Sequence, residues 1–271
     1  MTDCLDERAD SVTLDVVSRT RRSDRGWVRT LTSVEDPTAR LVCFPHSGGT
    51  AAAYRPWSSA VPAGVALHAV QYPGHADRLA EEPAASIAEM ATQVAAELLR
   101  MPPARCALIG HSLGALVAYE TARALRDNGS SVHHLFVSGA AGPWLAGGGT
   151  THQLGDEELW SSVTKLGGIE PEIADQPELR DLLLPVLRSD ITLHETYRPA
   201  PDTAPLDCPV RGYYNTEDPL VDANQVATWA AVNDGEFSMR ALPGGHFRLL
   251  SHPDELLADV MATLTDSGVR R

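Results

Sequence analysis

From Arg40 onward, short apolar runs alternate with stretches of helical period. Leu41-Val42-Cys43-Phe44 is stopped by Pro45 and the Gly48-Gly49 pair, which predicts a buried strand entering a turn. Ala66 to Tyr72 predicts a second strand, closed by Pro73-Gly74. Ser86 and Glu89 have capping-box spacing, and Ile87, Met90, Val94 and Leu98 follow at helical period. Cys106 to Ile109 predicts a third strand, and Ala115 to Arg126 a helix closed by Asn128-Gly129. His134 to Ser138, Val210 to Tyr214 and Met239 to Leu242 complete the strands, before a last helix over Pro253 to Leu264. This alternation predicts an α/β fold: a mostly parallel central sheet with helices on both faces.

The pattern breaks between Gly142 and Leu206. Here a Gly147-Gly148-Gly149 tract precedes helix-like stretches near Asp156 to Leu166 and Glu178 to Tyr197, without an evident strand. A helical insertion after a central strand predicts a lid over the sheet's C-terminal edge. Residues 1–36 are polar and mixed in charge, with Arg19, Arg21, Arg22 and Arg25 crowded together. They read as an extension that is loose to about Arg25, with Trp27 to Thr32 able to add an edge strand. The domain organisation is thus an extension over 1–36 and one domain over 37–271, its lid at about 142–206.

Composition narrows the classes. The apolar fraction of 43% and charged fraction of 21% are ordinary for a soluble globular protein. No run approaches the roughly 18 apolar residues of a membrane helix, and the polar, acidic start is unlike a secretory signal, so the expected location is cytoplasmic. A net charge of −14 argues against nucleic acid and against an anionic membrane surface. Cys4, Cys43, Cys106 and Cys208 lack metal-like or disulfide-framework spacing and read as reduced thiols.

The chemistry concentrates in Gly110-His111-Ser112-Leu113-Gly114, a G-x-S-x-G turn between a predicted strand and a predicted helix. That context is the nucleophile elbow, in which small neighbours let a tight turn raise the serine hydroxyl clear of the sheet. It predicts an α/β-hydrolase with Ser112 as nucleophile. The architecture then requires an acid and a histidine, in that order, further along the chain. His246, in Pro243-Gly244-Gly245-His246-Phe247 after the last predicted strand, is the expected base. His252, beside Pro253 at a helix start, reads as a capping-region residue, and His133 and His134 as structural. Asp218 is the expected acid, preferred over Glu217 because Pro219 fixes the turn after it. Backbone N–H groups of Leu113 and of Ser47, in Pro45-His46-Ser47-Gly48-Gly49, are the expected oxyanion donors, with His46 shaping the turn.

Several separated motifs carry a resemblance. Phe44-Pro45-His46-Ser47-Gly48-Gly49, Gln71-Tyr72-Pro73-Gly74-His75-Ala76-Asp77-Arg78 and Gly110 to Gly114 resemble the type II thioesterases that accompany polyketide synthases and nonribosomal peptide synthetases. The likeness continues through Leu184-Pro185-Val186-Leu187-Arg188-Ser189-Asp190, Pro205 to Pro209 and Gly244 to Phe247. It implies hydrolysis of acyl groups held on the phosphopantetheine arm of carrier proteins, clearing aberrant or stalled chains. It places the same triad on Ser112, Asp218 and His246 and the same donors on Ser47 and Leu113. Asn215 departs from the glycine common ahead of the acid, and Leu113 from a frequent methionine. Asp77 and Arg78 read as the solvated end of a turn.

The expected course is an acyl-enzyme on Ser112, with no cofactor and no metal. A carrier protein is usually acidic, as this chain is, so docking would need a local basic or apolar patch; Arg188 and Arg198 are candidates on the lid. Acyl-CoA or small esters would use the same triad and form the main alternative. Acyl transfer or cyclisation is less expected of a chain with its own Met1 and no attached synthase module, and a non-catalytic acyl-binding role less still, since all three triad residues are present. Trp144 and Trp160 are candidates for core or for pocket lining.

Overall fold

The computed structural model describes residues 26–169, 171–201 and 203–266. The extension up to Arg25, with Cys4, lies outside them. Seven strands form one sheet: β1 (Val28–Thr30), β2 (Ala39–Phe44), β3 (Val65–Val70), β4 (Arg105–His111), β5 (His134–Ser138), β6 (Val210–Asn215) and β7 (Phe237–Leu242). Their spatial order is β1-β3-β2-β4-β5-β6-β7, with β1 antiparallel to β3 and every other pairing parallel. Every residue of β2, β3 and β5 is buried. Helices cover both faces of a parallel sheet, so its strands read as unbroken apolar runs rather than alternating ones.

The two faces divide by residue parity along each strand. Val42, Phe44 and Leu108 pack with α1 (Ile87–Leu98) and α2 (Leu113–Asp127). Leu41, Cys43 and Ile109 face Tyr54, Trp57 and the C-terminal helix α8 (Asp254–Asp266), through Leu256, Val260 and Leu264. Helix α1 begins as its sequence suggests, with Glu89 N–H donating to Ser86 Oγ at 3.0 Å; the Glu89 carboxylate accepts from Ala85 N–H at 2.8 Å. Helix α8 is fastened by Asp259, whose carboxylate accepts from Arg211, Tyr213 and Arg240.

The sheet begins inside the stretch assigned to the extension. Val28 to Thr30 pair with His68 to Val70, and the Glu97 carboxylate accepts from Trp27 and Val28 N–H at 2.8 and 2.9 Å. Arg78 lies over the Trp27 ring at 4.8 Å and donates to Gln71 O and to Glu81. Arg78 is therefore buried, not solvated; Asp77 is exposed and paired with Arg29.

Between β5 and β6 lie a 3-10 turn at Thr151–Gln153 and helices α3 (Asp156–Lys165), α4 (Pro171–Ala174) and α5 (Pro177–Thr196). Leu159, Trp160, Val163, Leu184 and Leu187 give this lid its own small core. Arg188 donates to His152 O and Leu154 O and pairs with Asp156, holding α5 to the start of α3. Short helices α6 (Ala223–Ala227) and α7 (Arg248–Ser251) follow β6 and β7. Among the described residues no helix is long and apolar enough to cross a membrane, and Cys43, Cys106 and Cys208 are free thiols.

After β2 the chain turns to one side of the sheet for β3, and β4 then lies on the other side of β2. The reversal puts the C-terminal ends of β2 and β4 side by side, with Phe44 in register with Gly110. Ligands of open α/β sheets bind in the crevice at such a switch point.

Candidate active site

Strand β4 ends at His111 and α2 starts at Leu113, so Ser112 alone must turn the chain. It does so at φ 53° and ψ −122°, a left-handed conformation that costs a non-glycine residue on the order of 1–3 kcal/mol. Its N–H is held by Ser138 O at 2.9 Å. The flanking glycines are sterically required. A Cβ on Gly110 would lie 2.1 Å from Gly114 O, and one on Gly114 would lie 2.1 Å from Phe44 O. Strand, turn, helix and the loop after β2 therefore close on one another at the elbow.

That loop is itself pinned by main-chain acceptors. Tyr54 and Tyr72 hydroxyls donate to Phe44 O and Pro45 O at 3.0 and 3.1 Å, and Gly49 N–H donates to His46 O. Ser47 opens on the same cavity as Ser112, while Leu113 is fully buried at the first position of α2. A first-turn N–H has no acceptor within its own helix.

The ends of β6 and β7 bring the two remaining predicted residues together. His246 Nδ1 donates to Asp218 Oδ2 at 2.7 Å, and both side chains are buried. Asp218 Oδ1 accepts from Leu220 N–H at 2.8 Å, which orients the carboxylate within its turn. Glu217 is exposed, as the preference for Asp218 requires. The loops are tied by Glu217 N–H to Gly244 O at 3.0 Å. A further tie comes from Asn215, whose amide donates to Gly245 O at 2.9 Å and His246 O at 3.3 Å. The departure from glycine at this position is thus a strut between acid strand and histidine loop.

Around His246 stand aromatic neighbours that sequence reasoning gave no role. The His111 ring lies 4.7 Å away, tilted, and Phe247 meets both His246 and His46 edge-on at 4.8 Å. Burial, then the nearby His246 and His75, lowers the His46 pKa to about 3. Burial, His246 and His46 likewise hold His111 well below its usual range. Both rings stay neutral and serve as packing walls. His252 is exposed and bonds Ser251 Oγ, and buried His134 stacks on Phe136, so neither belongs to the site.

His46, Ser47, Ser112 and His246 line one cavity of about 280 Å³ whose remaining wall comes largely from the lid. From the lid, Val163, Leu166, Leu187 and Ile191 are among its apolar residues and His194 among its polar ones, and Gln225 of α6 is a further polar group. Burial and the facing His246, opposed by Glu195, bring the His194 pKa down to about 4, so it is a neutral group there. Trp160 is core, but Trp144 is 52% exposed and is neither core nor lining.

A mostly parallel sheet, a serine on a strained strand-to-helix turn and an Asp–His pair on later strand ends define an α/β-hydrolase. The thioesterase domain family model matches residues 39–264. The chain belongs to that family, among the type II thioesterases of polyketide and nonribosomal peptide pathways. It is 39% identical over 236 residues to thioesterase PikA5 of Streptomyces venezuelae, covering 86% of this chain and 84% of that protein. The type II thioesterase BorB from the borrelidin biosynthetic cluster superposes with a TM-score of 0.81 at 36% identity, covering 88% of this chain and 97% of that one. RedJ, the thioesterase from the prodiginine pathway of Streptomyces coelicolor, gives 0.78 at 38% identity, covering 85% and 94%.

Proposed function

We propose that this thioesterase hydrolyses acyl groups from the phosphopantetheine arm of carrier proteins through Ser112, His246 and Asp218. The observation that carries the reading is the buried 2.7 Å His246–Asp218 pair, whose histidine lines the same cavity as a serine on a strained elbow. Asp218 holds the proton on Nδ1, which leaves the Nε2 lone pair to accept the Ser112 proton. Ser112 Oγ attacks the thioester carbonyl carbon, and the oxyanion forms against the N–H groups of Ser47 and Leu113. The C–S bond then breaks, His246 returns the proton to the departing thiolate, and an acyl-Ser112 ester remains. A water gives its proton to His246 and attacks the ester, releasing the free acid and restoring Ser112. Clearing stalled or aberrant chains is the editing role this chemistry suits.

The net charge of −14 disfavours long-range attraction to an acidic carrier. Leu145 and Leu220 line the cavity while remaining 52% and 48% exposed, so an apolar mouth supports short-range capture of the arm. Ser112→Ala should abolish release of free acid from an acyl-carrier protein while the fold persists by circular dichroism. A variant that keeps wild-type turnover would overturn the nucleophile assignment. Equal specificity constants for acyl-carrier protein and the matched acyl-CoA would overturn the carrier-protein assignment.

A further inference from the structure

The Gln71 to Arg78 segment and Asp190 of α5 take no part in the chemistry above, yet they meet in a buried network beside it. Asp190 Oδ2 accepts from Gly48 N–H at 2.7 Å and from His75 Nε2 at 2.9 Å. Both residues are almost wholly buried, at 1% and 3% exposure. His75 Nδ1 faces Pro73 O at 2.9 Å. A carbonyl and a carboxylate can only accept, so both ring nitrogens must donate and His75 is an imidazolium paired with a carboxylate. Gln71 braces this turn, its amide accepting from Ala51 N–H and donating to His75 O. One turn before Asp190, Leu187 of the same helix presses on the same loop; a Cβ on Gly48, at φ 75°, would lie 2.4 Å from it.

A buried ion pair is poor evidence for stability, because desolvation can exceed the attraction and a well-packed apolar replacement is often as stable. Here Asp190 Oδ1 has no hydrogen-bond partner among the described residues, which adds to the cost. What the pair does supply is a fixed acceptor for the N–H of Gly48, next in the chain to Ser47. We infer that Asp190 and His75 are positioning residues: the lid helix α5 grips Gly48 through Asp190 and thereby sets Ser47 N–H for the oxyanion, with His75 holding Asp190 in place. The inference rests on the reading of Ser47 as an oxyanion donor. It makes a seated lid helix a condition of a formed oxyanion loop.

His75 also titrates. Burial works against the His75 charge, but the bond to and charge of Asp190, then Pro73 O, outweigh burial and Arg78, and raise its pKa above the usual 6.5. Among the described residues, neutral His46 and the Tyr72 hydroxyl also lie against the pair, beside the Arg78 guanidinium. The charged pair therefore holds Asp190 most firmly below the raised value; as pH rises through it His75 keeps one proton and loses one of its two donated bonds, so the grip loosens.

Asp190→Asn tests this. Turned oxygen-first, the amide leaves the imidazolium without its counter-charge; turned nitrogen-first, it sets N–H against the N–H of Gly48. With an acyl N-acetylcysteamine thioester, which needs no carrier docking, kcat should fall about 10- to 100-fold, part of the 10²–10³ of a lost oxyanion donor. KM should stay within about threefold, since binding of the ground-state thioester does not use the oxyanion geometry. A folded Asp190→Asn with kcat within about twofold of wild type overturns the inference. If that variant does not fold, His75→Gln decides. It keeps a donor for Asp190 but has no proton to lose, so the alkaline fall in kcat should disappear, and an unchanged pH profile overturns the inference. Ser112→Ala run alongside separates the two levels. Its retained activity would remove the nucleophile assignment on which the oxyanion reading depends, whereas an inert Ser112→Ala beside an unaffected Asp190→Asn removes only the positioning role.

Discussion

Replacing Asn215 by alanine removes the strut between the acid strand and the histidine loop without touching a reacting group. Two donated bonds disappear, one of 2.9 Å to Gly245 O and a longer one to His246 O. A typical bond contributes about 1 kcal/mol net, and a buried carbonyl left without a donor costs about 1–3 kcal/mol. The longer bond counts for less, so the total should be about 2–3 kcal/mol. At roughly 2–4 °C per kcal/mol for a chain of this size, Tm should fall by about 4–12 °C. The effect on turnover should be smaller than loss of a triad residue, because Glu217 N–H still ties the acid turn to Gly244 O. A modest drift of the imidazole of about 1.4 kcal/mol in the barrier is a tenfold loss of kcat. Thermal unfolding by calorimetry and single-turnover acylation with an activated ester measure the two effects separately. A lowered Tm with acylation unchanged would refute the strut's catalytic role and leave Asn215 as a fold residue only.

Gly114→Ala drives a methyl group to 2.1 Å from the Phe44 carbonyl; backbone must move, so expression and Tm should drop, and any folded fraction should lose on the order of 10²–10³ in kcat as the oxyanion loop is displaced. Asp218→Asn keeps the shape of the acid but favours the wrong imidazole tautomer, and should cost on the order of 10⁴ in kcat with little change in KM, measured by steady-state hydrolysis. Acid should unfold the domain early. Burial holds His46 at about 3, His68 and His134 at about 4, and His111 well below its usual range, so below pH 6.5 the unfolded chain binds protons that the native state refuses. Stability then falls as pH falls, by up to about 1.4 kcal/mol per pH unit for each such group, and a Tm that stays level between pH 7 and 5 would contradict it.

Much of the fold is legible because its strands are buried on both faces. Leu41 to Phe44 and His134 to Ser138 carry apolar runs bounded by turn residues and lie inside or match observed strands, while Ala66 to Tyr72 overruns its strand, which ends at Val70. Strand β7 begins two residues before the expected Met239, since an edge strand with half-exposed positions leaves no such run. The 3-10 stretch Ala51–Ser59 has Pro56 inside it and no helical period. The elbow is legible because its constraint is local: two glycines, a serine, a strand before and a helix after. Asp218 and His246 are legible through chain order and the turns that carry them. The grip of Asp190 on Gly48 is not, because the partners stand 142 residues apart and a lone aspartate within a helix gives no sign of what it faces. Arg78 misled for a related reason. A charged residue after a turn reads as solvated, and nothing local reveals that Trp27 and Gln71 O wait for its guanidinium.

These long-range contacts bear on how such a site can change its substrate range. The cavity wall and the loop proposed to hold the oxyanion share helix α5: Leu187 both lines the cavity and touches Gly48, and Asp190, three residues on, bonds the same glycine. A lid that only covered the pocket could trade side chains for acyl size without consequence for rate. On the proposed assignment of Ser47, a change that shifts α5 moves the oxyanion donor as well, and the stabilisation it gives depends on where that donor points. Val163, on α3, lines the cavity from the other long helix of the lid and packs in the same small core as Leu187. The proposed positioning role therefore predicts that substitutions at Val163 alter acyl preference with less loss of kcat than substitutions at Leu187, measured with thioesters of graded chain length.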